Sequence, residues 1–293
     1  MNIASILCPT DFSDTSRHAM EHAVAIGHWC GARVIPVHVA AGVDDVPVTP
    51  SDGKVIGTPG IRWLSGAPPA TAIVDFATSA NVDLIVMGTH GASGFRHLIL
   101  GSVTETVLRA AACPVLTVPP RVHAAARLPF KRILCAIDFS GSSLAALQLA
   151  SNVALESAAR LEIVHVVDEP DEHALFVPRP YDVHHHAEIY ERHITEHLER
   201  VLSPSARERL NRQFHIARGK ADDQILLMAS NTDADAIVMG VGRGTDPTFG
   251  STVNYVVRNA ARPVLTVRGD ANLSGRTDDE ALNHCQKEDI ARA

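Results

Sequence analysis

Short apolar runs alternate with longer amphipathic stretches along the first 120 residues of the chain. The apolar runs are rich in β-branched residues and predict five strands, namely Ile3–Cys8, Arg33–Val39, Ile61–Leu64, Leu84–Met87 and Val115–Val118. Between them, apolar residues at helical spacing predict helices over residues 14–30, 68–80 and 102–112. Strands that alternate with helices in this way predict βαβ units and a parallel sheet covered on both faces.

The whole pattern occurs twice. Residues 6–13 (ILCPTDFS) return as residues 133–140 (ILCAIDFS), and residues 83–88 (DLIVMG) return as residues 235–240 (DAIVMG). The distance along the chain between the matching segments is 25 residues longer for the second pair than for the first. An insertion of that length therefore lies in the middle of the second copy. The chain is therefore predicted to be a tandem duplication of one α/β domain.

We predict two tandem doubly wound domains, each with a five-stranded, mostly parallel sheet and helices on both faces. The domains are assigned to residues 1–120 and 131–268, joined by a linker over residues 121–130. Residues 269–293 are polar and are expected to form a mobile C-terminal tail. Ligands of such sheets bind beyond the carboxyl ends of the strands, where Asp11, Val39 and Gly88 lie, so three distant segments are expected to meet at one crevice.

Composition excludes several classes of function. The net charge is −7 and no run of Lys or Arg occurs, so we expect neither a nucleic-acid partner nor a polybasic membrane segment. No apolar stretch reaches the roughly 18 residues of a membrane-spanning helix, and the first residues lack the order of a secretory signal. The five cysteines show no CxxC spacing and are expected to be reduced thiols in a cytoplasmic protein.

The stretch Met87–Val103 (MGTHGASGFRHLILGSV) is the strongest candidate for a binding element. A β-branched run ends at Gly88, Gly91 follows, and a helix is predicted to open at Gly101 and Ser102. The free N–H groups and positive dipole end of a helix bind phosphate, and glycine allows the backbone to approach a ligand closely. The spacing is neither a Walker A sequence nor the dinucleotide fingerprint. Because glycines also end strands in proteins without ligands, the loop alone leaves a purely structural role open.

The G-x2-G-x9-G-S motif after DLIVMG, together with PTDFS after the first strand, resembles the universal stress protein family, and both halves share the resemblance. It implies an adenine nucleotide alpha hydrolase-like fold that binds ATP, with or without Mg²⁺, and pairs two-fold through its last strand. It also implies that Asp11 contacts adenosine, that the Val39 backbone contacts the adenine edge, and that the glycine loop binds the phosphates. The nucleotide-binding residues so implied are Pro9, Thr10, Asp11, Val39, Met87, Gly88, His90, Gly91, Gly101, Ser102 and Val103.

The second copy departs from this motif. Arg243 stands at the position of Gly91, and nine residues separate Gly240 from Gly250, where twelve separate the matching glycines of the first copy. Loss of the glycine removes the option of a positive φ, so we expect impaired or altered binding there, although a contact of Arg243 with phosphate stays open. The residues of this second, weaker site are Ala136, Ile137, Asp138, Val166, Met239, Gly240, Arg243, Gly250, Ser251 and Thr252.

Histidines cluster in the insertion. His186, His193 and His197 fall on one side of a helix predicted to run to about Leu202, and the spacing of four between the last two suits metal chelation. The polar flank of an amphipathic helix explains the same spacing without a ligand, so these three residues are weak candidates and no metal is assigned. A pH-responsive helix is a further alternative.

No Ser-His-Asp arrangement, carboxylate pair or metal cluster accompanies the predicted crevice, so no catalytic residue is assigned and a fast enzyme is not indicated. The resemblance implies an ATP-binding stress-response or signalling module that holds nucleotide mainly in its first half. A slow ATP hydrolase and an interaction protein without nucleotide remain alternatives. The two halves are expected to pack as a pseudo-two-fold pair within the chain, and a homodimer of two chains stays open.

Overall fold

The computed structural model describes residues 3–40, 60–64, 68–89, 100–120, 128–167, 192, 194–242 and 250–269. Most of the predicted linker and all of the predicted tail after residue 269 lie outside these ranges. Within them, no helix is long and apolar enough to cross a membrane. The chain folds into one twisted sheet with helices on both faces, so the predicted α/β fold class is confirmed.

The first half follows the predicted order of elements, with bounds that agree to within about two residues, as is usual for helix and strand ends. Its elements are β1 (Ser5–Pro9), α1 (Asp14–Cys30), β2 (Arg33–Val39), β3 (Arg62–Leu64), α2 (Pro69–Ser79), β4 (Leu84–Gly88), α3 (Ser102–Ala110) and β5 (Val115–Val118).

The second half repeats this order and adds helices between its second and third strands. Its elements are β6 (Arg132–Ala136), α4 (Gly141–Ser157), β7 (Arg160–Val167), α5 (residues 194–201), α6 (Pro204–Arg209), β8 (Arg212–Arg218), α7 (Ala221–Asn231), β9 (Ala236–Val241), α8 (Ser251–Asn259) and β10 (Val264–Arg268). The helices α5 and α6 therefore belong to the insertion that the unequal repeat spacing predicts.

The helices α1 and α4 begin and end in the same way. Ser13 and Ser140 act as N-caps, and each hydroxyl accepts a hydrogen bond from the backbone N–H three residues on. At the other end, Gly31 and Ala158 adopt positive φ values of 73° and 53° and donate their N–H groups back to the last turn. The two halves thus share local chemistry as well as the order of their elements.

The ten strands are hydrogen-bonded in the order β3-β2-β1-β4-β5-β10-β9-β6-β7-β8. All pairings within a half are parallel, and β5 pairs with β10 in the antiparallel direction. Because the central pair is antiparallel, the carboxyl ends of the strands point to opposite edges of the sheet in the two halves. Any ligand sites at these edges are therefore separate.

Two buried threonines make equivalent hydrogen bonds in opposite directions across the central β5–β10 pair. Thr117 lies opposite Val264, and its Oγ1 donates to the Val264 carbonyl at 3.1 Å. Thr266 lies opposite Val115, and its Oγ1 donates to the Val115 carbonyl at 3.2 Å. The local two-fold axis therefore passes between Leu116 and Leu265, which lie opposite each other.

Side chains alternate between the two faces of the sheet, so each face has its own core. The helices α1, α4, α5 and α6 cover one face, where the buried residues include Ile6, Ile26, Leu149, Ile163 and Leu198. The helices α2, α3, α7 and α8 cover the other, where they include Leu7, Ile85, Val107, Ile237 and Val256. Phe130, assigned from sequence to the linker, is buried in the first of these cores.

The insertion covers β7 and β8 on the α4 face. Ile194 and Leu198 of α5 are buried, and they belong to the same core as Leu161 and Ile163 of β7. The Glu199 carboxylate accepts two hydrogen bonds from Arg212 Nη2, at 2.8 and 2.7 Å. Apolar burial and this charge-assisted contact together hold α5 on the sheet.

We predict that replacing either central threonine by valine destabilises the protein to a similar extent. Thr117→Val and Thr266→Val each remove one buried hydroxyl-to-carbonyl hydrogen bond, which should lower the free energy of unfolding by about 1 kcal/mol in urea titrations. Thr106→Val is the control, because the Thr106 hydroxyl bonds the Ser102 carbonyl on the exposed side of α3. A neutral result for one central threonine and a loss for the other would contradict the reciprocal pairing.

We also predict that two cysteines resist alkylation in the folded protein. Burial raises the pKa of the Cys8 and Cys135 thiols to about 12, so the reactive thiolate is scarce at pH 8. The half-buried Cys30 should react with iodoacetamide before Cys8 and Cys135 do, as followed by peptide mass spectrometry. Equal labelling rates at Cys8 and Cys30 before unfolding would show that this prediction is wrong.

Candidate functional site

The turn from β1 into α1 is fixed by hydrogen bonds to β2 and within itself. The Thr10 N–H donates to the Val37 carbonyl at 2.8 Å, and the Thr10 Oγ1 accepts from the Phe12 N–H at 3.0 Å. The Asp11 Oδ1 accepts from the N–H and the hydroxyl of Ser13, at 3.1 and 2.6 Å. The exposed Asp11 carboxylate is thereby held at the carboxyl edge of the sheet, directly after β1.

Phe12 completes this turn in a left-handed backbone conformation, with φ of 64°. A non-glycine residue there is strained, so neighbouring contacts must hold it. The Phe12 ring lies 4.7 Å from the His38 ring, and the Trp63 ring meets His38 edge-on at 4.7 Å. His38 donates from Nδ1 to the Thr10 carbonyl at 2.7 Å, because a carbonyl can only accept. These rings join the ends of β1, β2 and β3.

The end of β4 is joined to the starts of two helices. A Cβ on Gly88 would lie 2.6 Å from the Thr15 Cγ2 of α1, so glycine is required here for close packing. The buried Thr104 of α3 donates from Oγ1 to the Gly88 carbonyl at 2.9 Å, and the Gly101 N–H donates to the Thr89 carbonyl at 3.0 Å. The N-terminus of α3 is therefore fixed beside the end of β4.

That helix N-terminus is suited to an anion. Gly101 is its N-cap, and among the described residues no side chain caps it. Ser102 is exposed at the first helical position, whereas Val103 is half-buried and Met87 is buried at the end of β4. Free N–H groups and the positive end of the helix dipole favour negative charge at this point. The predicted loop residues His90 and Gly91 lie outside the described residues.

Strand order brings the predicted segments of the first half side by side. β1 lies between β2 and β4, so the ends carrying Pro9 and Asp11, Val39, and Gly88 are neighbours at one edge. Val39 pairs with Leu64 at the end of β2, and the chain continues with the Ala40 N–H donating to the Leu64 carbonyl. The arrangement places a carboxylate, strand-end backbone and a helix N-terminus at the same edge of the sheet.

The second half repeats the β1–α1 turn between β6 and α4. The Ile137 N–H, at the position of Thr10, donates to the Val164 carbonyl at 2.9 Å. The Asp138 Oδ1 accepts from the Ser140 N–H at 2.9 Å. Burial acts against the charged carboxylate, but hydrogen bonds from Ser140 and Ser143 outweigh it and lower the pKa of Asp138 below its usual value. Asp138 is therefore ionised at neutral pH.

The β9–α8 side of the second half differs from its counterpart. Val253 occupies the position of Thr104, so the hydroxyl contact with the preceding strand is absent. A Cβ on Gly240 would collide with the Ser142 carbonyl group, which places α4 tightly against β9. Gly250 is the N-cap of α8, followed by the exposed Ser251 and the half-buried Thr252. Ala136 and Met239 are buried, Val166 is half-buried, and Arg243 lies outside the described residues.

The insertion reaches this second turn. Phe139, with φ of 63°, lies 5.0 Å from the His165 ring, and His197 of α5 meets Phe139 edge-on at 4.7 Å. His186 and His193 lie outside the described residues. Within the part of the chain that the structure describes, no three His, Cys, Asp or Glu side chains are grouped so as to hold a metal ion.

Sequence reasoning missed the residues that position the site. Phe12, His38 and Thr104 are not among the predicted nucleotide-binding residues. Phe12 and His38 nevertheless fix the turn after β1, and Thr104 fixes the start of α3. The repetition of Asp-Phe-Ser and of His-Val in the two halves was a usable signal for the first two. The role of Thr104 gave no such signal, because the second half has valine at that position.

Comparison with known proteins agrees with this architecture. The model of the universal stress protein family matches residues 2–56, 64–119 and 129–268. A universal stress protein of Methanocaldococcus jannaschii is 36% identical over 39% of this chain and 80% of its own length. One of Thermus aquaticus is 33% identical over 39% of this chain and 97% of its own length.

Solved structures match across both halves. The chain is similar to a universal stress protein from Archaeoglobus fulgidus, with 26% identity and a TM-score of 0.59 over 90% of this chain and 98% of that one. A Pseudomonas aeruginosa protein of the same fold gives a TM-score of 0.61 at 19% identity, over 92% of this chain and 94% of its own. The repeated sheet, the repeated turn and these matches lead to one conclusion: the chain belongs to the universal stress protein family.

Proposed function

We propose that this protein is a nucleotide-binding stress-response module that holds ATP mainly in the crevice of its first half and signals the bound state to a partner. The observation that carries the proposal is the N-terminus of α3. Its N-cap is a glycine without a capping side chain among the described residues, and Ser102 stands exposed beside it. This is the arrangement that binds phosphate groups in many nucleotide sites.

The other end of the crevice supports the nucleoside part of the ligand. Asp11 presents a carboxylate whose Oδ1 is oriented by Ser13, and a carboxylate is a suitable acceptor for ribose hydroxyls. The Val39 backbone at the end of β2 supplies hydrogen-bonding groups for a base edge. The family resemblance assigns the same roles, so ATP is the ligand we propose.

The second half is proposed to bind nucleotide weakly or in an altered way. Its loop between β9 and α8 is three residues shorter and has Arg243 in place of a glycine. Val253 also removes the hydroxyl that, in the first half, attaches the helix start to the preceding strand. We retain Asp138, Gly250 and Ser251 as the residues through which this half would contact a ligand.

We further propose that residues 1–120 and 131–268 act as two units that remain paired within one chain. Because β5 and β10 already pair with each other, a homodimer of this protein has to use a different surface.

Free thiols at Cys8, Cys30, Cys113 and Cys135 support a reducing, cytoplasmic compartment.

A matched pair of substitutions tests where ATP binds. Ser102→Asp and Ser251→Asp each place a carboxylate at the first position of a helix, where acidic residues are tolerated. We expect titration calorimetry to show about one ATP per chain for the parent, and Ser102→Asp to weaken binding at least tenfold through repulsion of phosphate. Ser251→Asp should leave the affinity of the first site unchanged.

If the parent shows no heat of binding with ATP, the proposal is wrong. It is also wrong if Ser251→Asp weakens ATP binding and Ser102→Asp does not, because the ligand would then lie in the second half. ADP release above that of a protein-free control would add slow hydrolysis to binding.

A further inference from the structure

A groove on the α1 face of the first half is more exposed than its counterpart in the second half. We use the name aromatic groove for the surface made of Phe12 in the turn, Val24 of α1 and the residues of β2 and β3 on the α1 face of the sheet, namely Val34, Pro36, His38 and Trp63. Phe12 is 55% exposed and Val24 is 39% exposed. Val34, Pro36, His38 and Trp63 are half-buried. Exposed apolar surface of this kind marks interaction sites more often than isolated exposed residues do.

The repeat supplies the matching surface of the second half, position by position. The counterparts, taken from the repeat and from the strand pairing, are Phe139, Ser151, Leu161, Ile163, His165 and Ile216. Leu161 and Ile163 are fully buried, Ser151 is 5% exposed, and Phe139 is half-buried. His165 and Ile216 are half-buried, as His38 and Trp63 are. Among the described residues, the turn, the helix wall and the strand positions of Leu161 and Ile163 are therefore more covered in the second half than their counterparts are in the first.

The cover in the second half is an amphipathic helix. Ile194 and Leu198 of α5, with Leu202 directly after its end, form a stripe at a spacing of four residues, and they are 7%, 0% and 3% exposed. Beside this stripe, His197 sets its ring edge-on against Phe139 at 4.7 Å. The second half thus shows what kind of element fits this surface: an apolar helical stripe flanked by one ring that meets the phenylalanine of the turn.

We propose that the aromatic groove is the docking site for an amphipathic helix of a partner protein, which would cover it as α5 covers the second half. The partner helix would present apolar residues at i, i+4 and i+8 to Val34 and Pro36, and a ring to Phe12. Because Phe12 follows Asp11 directly, the docked helix would lie beside the proposed nucleotide site. The aromatic groove is identified from exposure and from the repeat alone, so this proposal does not depend on the proposed ATP site.

A peptide taken from this chain tests the proposal. Residues 190–203 carry the stripe of α5, and a fluorescein-labelled peptide of that sequence is titrated with the full-length protein while its anisotropy is measured. We expect saturable binding with a Kd below about 1 mM, and weakening of at least about tenfold by Val24→Asp, which places a charge on the groove wall. A peptide carrying Leu198→Asp should not bind.

Leu227→Asp is the matched control on the protein. Leu227 is 52% exposed on α7, which packs on the opposite face of the sheet, so this variant should bind the peptide like the parent. Circular dichroism of both protein variants establishes that each is folded before its affinity is compared.

Three results would overturn the proposal. The first is the absence of saturable binding by the parent, or equal affinity of the parent and Val24→Asp. The second is a dimer in sedimentation equilibrium that Val24→Asp converts to a monomer, because the occupant would then be a second copy of this chain. The third is binding confined to a variant whose residues 42–58 are replaced by a glycine-serine linker, because the occupant would then be that segment. If the protein binds no ATP, we still expect it to bind the peptide, so failure of the proposed function does not affect this prediction.

Discussion

The antiparallel contact between β5 and β10 is the constraint on which the rest of the structure depends. Its two buried threonines donate reciprocally across the pair, from Thr117 to Val264 and from Thr266 to Val115. This pairing joins two five-stranded sheets into one and buries the edge that each half would otherwise expose. It also directs the carboxyl ends of the strands in the two halves to opposite ends of the sheet.

Within each half, a strained turn sets the position of the acidic residue. Phe12 and Phe139 both adopt a left-handed conformation, and in both halves a histidine from the next strand packs on the ring and donates to the turn backbone. Conformational strain of this kind persists where surrounding contacts fix it, and it often accompanies a functional site. The halves differ beyond this shared element. The first keeps the complete glycine motif, whereas the second shortens that loop and adds helices over its sheet.

Much of the fold follows from local patterns. Ser13 and Gly31 bound α1, and the β-branched run after Asp83 forms β4. These elements follow from the sequence because capping, positive φ and burial on both faces act within a few residues. The tandem order follows from the repeat. The covering of Phe139 by His197 could not be predicted, because it depends on where an inserted helix packs against a turn 58 positions away in sequence. The contact of Thr104 with Gly88 is likewise tertiary and has no equivalent in the repeat.

We propose that the duplication left one complete nucleotide site in a shared scaffold. Native mass spectrometry of gently purified full-length protein tests this most directly, because it counts bound molecules on each chain. We expect one adenine nucleotide per chain, exchangeable with added ATP. Chains that carry no nucleotide and bind none when ATP is added would contradict the proposal, and so would chains that carry two nucleotides as purified.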